Sequence, residues 1–172
     1  ARFLIRKFGS EARVARIFRA IAHVGQSVEI AFAFERIGRA PNTRNAHRLV
    51  RYADGFGRAD PAVEALFQGH FEQGHDIGDL DVLVEIGRTI GLDPMRVRRH
   101  LTSDADVAVI AEENARAHRL GINGVPAFIF ARSFVVCGAQ DPRVLARMLD
   151  IGREAGVLGL GTAAGRVTQD CT

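Results

Sequence analysis

Residues 121–131 read Gly-Ile-Asn-Gly-Val-Pro-Ala-Phe-Ile-Phe-Ala, a turn with glycine and proline that runs straight into an apolar segment. A proline directly before a buried strand is unusual, because it removes one donor from the hydrogen-bond ladder. A cis Val125–Pro126 bond would account for this proline, since cis peptide bonds are largely confined to proline and lie in tight turns. A trans proline at a sheet edge is the alternative.

The apolar runs Ala127–Ala131 and Phe134–Cys137 predict a β-hairpin with its turn at Arg132-Ser133. A last helix is predicted to open at Asp141-Pro142. Two strands alone do not make a stable sheet. We therefore expect a further sheet partner, either missing from this chain or supplied by a second copy, and this favours a homodimer.

The sequence before the hairpin predicts helices, because apolar residues recur every three or four positions. Most predicted helix starts carry a capping side chain, and two also carry proline in the first turn. These starts are Ser10, Thr43, Asp60-Pro61, Asp79, Asp93-Pro94 and Ser103. The segment Ser27 to Phe34 is ambiguous between a short extended run and a helix end.

Composition excludes several classes of function. The 172 residues are 47% hydrophobic, but no apolar run approaches the roughly 20 residues needed to cross a bilayer. The net charge of +3 comes from dispersed arginines without a matching aromatic stripe, so nucleic-acid binding is not expected. The first residues lack the apolar core of a secretion signal, which favours a cytoplasmic protein without a membrane partner. The abrupt opening Arg2-Phe3-Leu4-Ile5 favours a truncated chain.

The cysteines and histidines predict no metal site. Cys137 and Cys171 form neither Cys-x-x-Cys nor a metal-ligand spacing. We expect Cys137 to be a buried, inert strand residue and Cys171 to be free. His70 and His75 do not have the i, i+4 spacing of a zinc protease. No cofactor is expected from these residues.

Several stretches together resemble the DsbA family of thioredoxin-fold proteins, in particular its FrnE-like branch. A Gly-Val-Pro turn before a hairpin and a terminal helix is similar to the second half of a thioredoxin fold. The long helical segment before this turn resembles the helical insert of the DsbA family. Three further segments resemble branch signatures: 40–49 (Ala-Pro-Asn-Thr-Arg-Asn-Ala-His-Arg-Leu), 66–77 (Leu-Phe-Gln-Gly-His-Phe-Glu-Gln-Gly-His-Asp-Ile) and 136–140 (Val-Cys-Gly-Ala-Gln).

The resemblance implies an α/β, thioredoxin-like fold of the DsbA type with a large all-helical insert. Residues 1–120 would form the mainly helical domain, 121–156 the C-terminal half of the thioredoxin-like domain, and 157–172 a flexible tail. It also implies a thiol-disulfide oxidoreductase acting on a disulfide-containing protein or a small thiol or disulfide. Gly124, Val125 and Pro126 (the Val-Pro loop) would be the family's cis-proline loop, which presents backbone to the substrate.

The sequence departs from the family pattern because it contains no Cys-x-x-Cys and no strand before it. As given, the chain is expected to be inactive in dithiol exchange, with no catalytic residue of its own. One alternative is a glutathione-dependent isomerase or transferase of the same superfamily, of the 2-hydroxychromene-2-carboxylate isomerase or kappa-class type, with glutathione held by Ser103-Asp104. Another alternative is a non-catalytic helical binding module.

Asn42, Thr43 and His47 form a second set of candidate residues. Asn42 or Thr43 would cap a helix and His47 would pack one turn further on. In the functional alternative, Asn42 lies in a cleft between the helical insert and the thioredoxin half and contacts substrate.

Overall fold

The computed structural model describes residues 2–122, 124–131, 134–157 and 166–167. The chain divides into two compact units, Ala1–Ile110 and Ala111–Thr172. The division lies ten residues before the boundary expected from the sequence after residue 120. The division falls inside the helix Val107–Arg119, which runs from the first unit into the second.

Among the described residues, eight α-helices and three strands account for most of the chain. The helices are α1 (Arg2–Phe8), α2 (Glu11–Gln26), α3 (Arg44–Asp54), α4 (Ala59–Phe67), α5 (Leu80–Thr89), α6 (Pro94–Thr102), α7 (Val107–Arg119) and α8 (Pro142–Val157). The strands are β1 (Ala127–Phe130), β2 (Phe134–Cys137) and β3 (Arg166–Val167). The described chain is thus mostly helical with one small sheet, as the sequence predicted.

The core of the first unit lies among α3, α4, α5 and α6. Leu49, Leu83 and Val97 are fully buried there, one from each of α3, α5 and α6. Fully burying such a side chain stabilises the fold by about 1.5–3 kcal/mol relative to leaving it exposed. The helical periodicity that predicted these elements also places these side chains on inward faces.

Three predicted helix starts are confirmed by their capping bonds. Ser10 Oγ accepts a hydrogen bond from the Arg13 N–H at 3.2 Å. Asp79 Oδ1 accepts one from the Asp81 N–H at 2.8 Å. Asp93 Oδ1 accepts one from the Arg96 N–H at 2.8 Å. Each bond satisfies a backbone donor that the first helical turn leaves without a partner.

Two predicted helix starts are wrong in position. Helix α4 begins at Ala59, so Asp60-Pro61 lies inside its first turn, where a missing proline N–H has no cost. Helix α7 begins at Val107 rather than after Ser103. Asp106 has φ of 61°, a left-handed conformation that an α-helix does not accept, so the helix can only start after it.

Helix α2 is joined to the rest of its unit by phenylalanine contacts. The ambiguous Ser27–Phe34 segment is irregular in the structure and ends in a 3-10 turn at Phe34–Arg36. Phe18 of α2 stacks on Phe34 with ring centroids 4.4 Å apart. Phe32 stacks on Phe34 at 4.9 Å and meets the edge of Phe71 at 6.0 Å. The segment therefore carries the aromatic link between α2 and the helical core.

The second unit contains the predicted hairpin. Strands β1 and β2 pair antiparallel, with Ala127 opposite Cys137 and Phe130 opposite Phe134. Arg132 and Ser133, the predicted turn, lie outside the described residues. Helix α8 follows as predicted and packs on the hairpin, where Gly152 lies against Phe130.

A third strand lies within the segment that was expected to be a flexible tail. Strand β3 pairs in parallel with β2, Phe134 opposite Arg166 and Val135 opposite Val167. The rest of the tail, residues 158–165 and 168–172, lies outside the described part of the chain. Among the described strands, none pairs with the other edge of β1. On that side, the sheet partner expected from the sequence is not found in the described residues.

Candidate functional site

The Val-Pro loop is an exposed turn at the start of β1. The Val125–Pro126 peptide bond is cis. Val125 is 91% exposed, and Gly124 and Pro126 are exposed beside it. A side chain at Gly124 would meet no atom within 4 Å. The loop is therefore open to solvent or to a bound molecule.

The hairpin fixes the position of this loop from one side. The Gly138 N–H donates a hydrogen bond of 2.8 Å to the Pro126 carbonyl, which extends the β1–β2 ladder by one pair. Gly138 has φ of 81°, a conformation that glycine adopts without a steric penalty. The loop is thus attached to a paired strand at Pro126, while Val125 projects from it.

Cys137 is not the inert thiol expected from the sequence, because it is disulfide-bonded in the structure. It does lie in β2 as expected, and it is half-buried. Cys171, the other cysteine of the sequence, was expected to be free and lies outside the described residues. The local apolar pattern that suggested an inert Cys137 carries no information about long-range pairing.

Asn42, Thr43 and His47 lie at the start of α3, in the first unit. Asn42 is exposed, and its Oδ1 accepts a hydrogen bond of 3.2 Å from the Arg44 N–H, so it satisfies the first donor of the helix from the position before the N-cap residue Thr43. Thr43 makes no side-chain capping bond. The His47 side chain is exposed, so the expectation that it packs is wrong. It lies on the face of α3 turned away from buried Ala46 and Leu49.

The loop that carries Asn42 is held by a neighbouring turn. Arg39 Nε donates a hydrogen bond of 2.6 Å to Asp76 Oδ2. Asp76 Oδ1 accepts one from the Gly78 N–H at 2.9 Å, and this bond, with help from Arg39, lowers the pKa of Asp76. A side chain at Gly78 would lie 3.0 Å from the Asn42 backbone nitrogen. The close approach of the two loops therefore favours glycine at position 78.

Arg48 is a residue whose role the sequence did not reveal. Its side chain is 4% exposed, and it is the buried charged residue of the described chain. Its guanidinium donates to the carbonyls of His100, Leu101, Ser103 and Ala105, at 2.7–2.9 Å, and to Asn45 Oδ1 at 2.8 Å. These bonds use all five guanidinium N–H groups. Arg48 therefore holds the C-terminal end of α6 and the turn that leads to α7, where a positive charge is favourable.

His100 and Asp106 lie in the same cluster. His100 Nε2 is 3.3 Å from Asp106 Oδ2, without the alignment of a hydrogen bond. Burial lowers the pKa of His100; Asp106 opposes this effect and Arg48 adds to it. Asp106 Oδ1 accepts a hydrogen bond of 2.9 Å from Arg51 Nε. Through these contacts the cluster holds the turn before α7 against α3, which is a structural role.

The residues considered for glutathione or metal are engaged in local structure. Ser103 Oγ donates to the His100 carbonyl at 2.8 Å and accepts from the Ala105 N–H at 3.2 Å, so it closes the end of α6. His70 Nδ1 lies 3.1 Å from the His75 carbonyl oxygen. In the part of the chain that the structure describes, no three His, Cys, Asp or Glu residues lie together as a metal site. None of the helices described there has the length and apolarity needed to cross a membrane.

The comparisons with known proteins identify the class. The family model for the DSBA-like thioredoxin domain matches residues 5–150, and the chain belongs to this family. The structure is similar to the crystal structure of a probable DsbA oxidoreductase from Streptomyces coelicolor, with a TM-score of 0.76 and 26% sequence identity. The match covers 88% of this chain and 65% of that one, so the chain spans about two thirds of the length of this relative. No curated protein matches the chain.

Proposed function

We propose that this chain supplies the substrate-binding part of a thiol-disulfide oxidoreductase, with the Val-Pro loop as the contact for a disulfide-bearing peptide. Membership of the DsbA-like family supports an oxidoreductase-family role. The observation that carries the proposal is the exposure of Val125, a residue that is 91% exposed next to a hydrogen-bonded hairpin. A backbone contact suits a protein that accepts many peptides, because main-chain hydrogen bonds do not depend on the substrate's sequence.

The sequence contains no Cys-x-x-Cys. In the proposal this chain therefore does not itself exchange the disulfide, and its role is to bind it. Exchange requires a thiolate that attacks one sulfur of the disulfide, and then a second thiol that resolves the mixed disulfide. In the proposal both thiols come from residues outside this sequence. The chain alone should accordingly reduce insulin no faster than the dithiothreitol background.

The proposal is tested by titrating the ¹⁵N-labelled chain with a short peptide closed by one intramolecular disulfide. We expect the amide signals of Gly124 and Val125 to shift. The same peptide, reduced and alkylated, is the control for the disulfide. Shifts that avoid the Val-Pro loop, or that are equal for the two peptides, would contradict the proposal.

A pair of variants separates the Val125 backbone from its side chain. Val125→Ala keeps the N–H group and should bind like the wild type. Val125→Pro removes the N–H group and should weaken binding by about tenfold, the effect of one hydrogen bond worth about 1.4 kcal/mol. Equal affinities for the two variants would show that the Val125 backbone is not the contact.

A further inference from the structure

We infer that Gln140 is a positioning residue that holds the Val-Pro loop in its binding conformation, an inference that rests on the proposed function. Gln140 is half-buried, and its Nε2 donates a hydrogen bond of 2.9 Å to the Cys137 carbonyl. It is the last residue of the Gly138-Ala139-Gln140 segment that follows β2. This bond acts on the loop through the backbone of Cys137 and Gly138, because Gly138 donates to the Pro126 carbonyl.

The hydrogen-bond pattern of the hairpin explains why the Cys137 carbonyl needs this partner. The Gly138–Pro126 bond makes these two residues a hydrogen-bonded pair, and in an antiparallel ladder such pairs alternate with non-bonded ones. Cys137, opposite Ala127, is therefore in a non-bonded pair, and its carbonyl points away from β1. On that side the described part of β3 pairs with Phe134 and Val135. On that same side the Gln140 amide donates to the Cys137 carbonyl.

Gly138 transmits this restraint to the loop. Its backbone N–H is the donor to the Pro126 carbonyl at 2.8 Å, and its φ of 81° turns the chain directly after Cys137. Proline has no N–H to return a second bond to Gly138, so this pair is held by one bond where a regular pair has two. The direction of the Gly138 N–H, and with it the position of Pro126, therefore depends on how firmly the Cys137 carbonyl is held.

The test uses Gln140→Glu, which keeps the side chain's size but cannot donate a hydrogen bond while it is ionised. At pH 7.5 we expect the protection of the Gly138 amide against hydrogen exchange to fall about tenfold, and the disulfide peptide to bind about tenfold more weakly. At about pH 4.5, near the ordinary glutamic acid pKa, roughly half of the carboxyl groups are protonated and can donate again, so both properties should recover in part. Gln140→Met has no donor at any pH and should not recover.

The outcomes separate the inference from the proposed function. If the wild type does not bind the disulfide peptide, the proposed function fails, and Gly138 protection alone decides the inference. If the Gly138 amide is as well protected in Gln140→Glu at pH 7.5 as in the wild type, the inference is overturned. It is also overturned by a loss of protection that is uniform across Phe130, Val136 and Gly138 and does not recover at low pH, because a merely structural role predicts that pattern.

Discussion

Replacement of Arg48 by methionine removes every donor of the buried guanidinium while keeping the apolar stem of the side chain. The Leu101 carbonyl, whose bond to Arg48 is buried, would lose its partner at a cost of about 2 kcal/mol. The carbonyls of His100, Ser103 and Ala105 are part-buried, so water can replace part of each bond, and we assign about 0.7 kcal/mol to each. The expected loss is therefore about 4 kcal/mol in the free energy of unfolding, a large part of the roughly 5–15 kcal/mol typical of a domain.

The measurement is urea unfolding followed by circular dichroism, with the midpoint as the readout and an unchanged slope as the sign that the transition is the same. Arg48→Lys keeps the charge but can direct its ammonium at only part of the carbonyl set, so about 2 kcal/mol should be lost. Arg44→Met, an exposed arginine on the same helix, is the matched control and should cost less than about 0.5 kcal/mol. If Arg48→Met shifts the midpoint no further than Arg44→Met, the reasoning about the α6 end is refuted.

Two further predictions concern the same helical unit. A Cβ on Gly87 would lie 3.0 Å from Cγ2 of fully buried Val97, so Gly87→Ala should cost about 1 kcal/mol of stability despite alanine's better helix propensity. The double variant with Val97→Ala checks the contact, because the smaller side chain should relieve the loss. Equal losses in the two backgrounds would disprove the contact. Because burial lowers the pKa of His100 in the folded state, the unfolded chain binds more protons just below the ordinary value near 6.5. Stability should therefore be full above about pH 6.5 and fall as the pH drops below it, until His100 is protonated in the folded state too. In His100→Gln this part of the pH dependence of the urea midpoint should disappear, and an unchanged pH dependence would contradict the assignment.

Local sequence signals predicted the elements that are determined locally. The caps at Ser10, Asp79 and Asp93 depend on one side chain and a backbone N–H within three residues, so they can be read from the sequence. The β1–β2 hairpin was predicted from two short apolar runs close together in the chain. In both cases the residues that form the interaction lie within the same short stretch of sequence that was used to predict the element.

The signals that misled are those whose meaning depends on distant residues. Ser103 has the sequence appearance of a helix cap, yet its hydroxyl closes the preceding helix α6. The turn after it is held by Arg48, more than fifty residues earlier in the chain, and by the Asp106 contact with Arg51. Since the start of α7 is decided by these long-range bonds, no local pattern could place it at Val107.

The same distinction bears on where function should be sought. The segment 40–49 drew attention as a family signature, but the structure gives its members structural tasks. Asn42 accepts a hydrogen bond from the first N–H of α3, and Asn45 accepts one from Arg48. Arg48 holds the end of α6, and Leu49 is fully buried. These residues of the segment contribute to the architecture of the helical unit, whereas substrate contact by Asn42 stays a prediction. The Val-Pro loop differs because Val125 is almost fully exposed while its neighbour is hydrogen-bonded to a strand. Stability in water does not require an exposed valine at that position, and the proposed substrate contact would give the loop a use in this form.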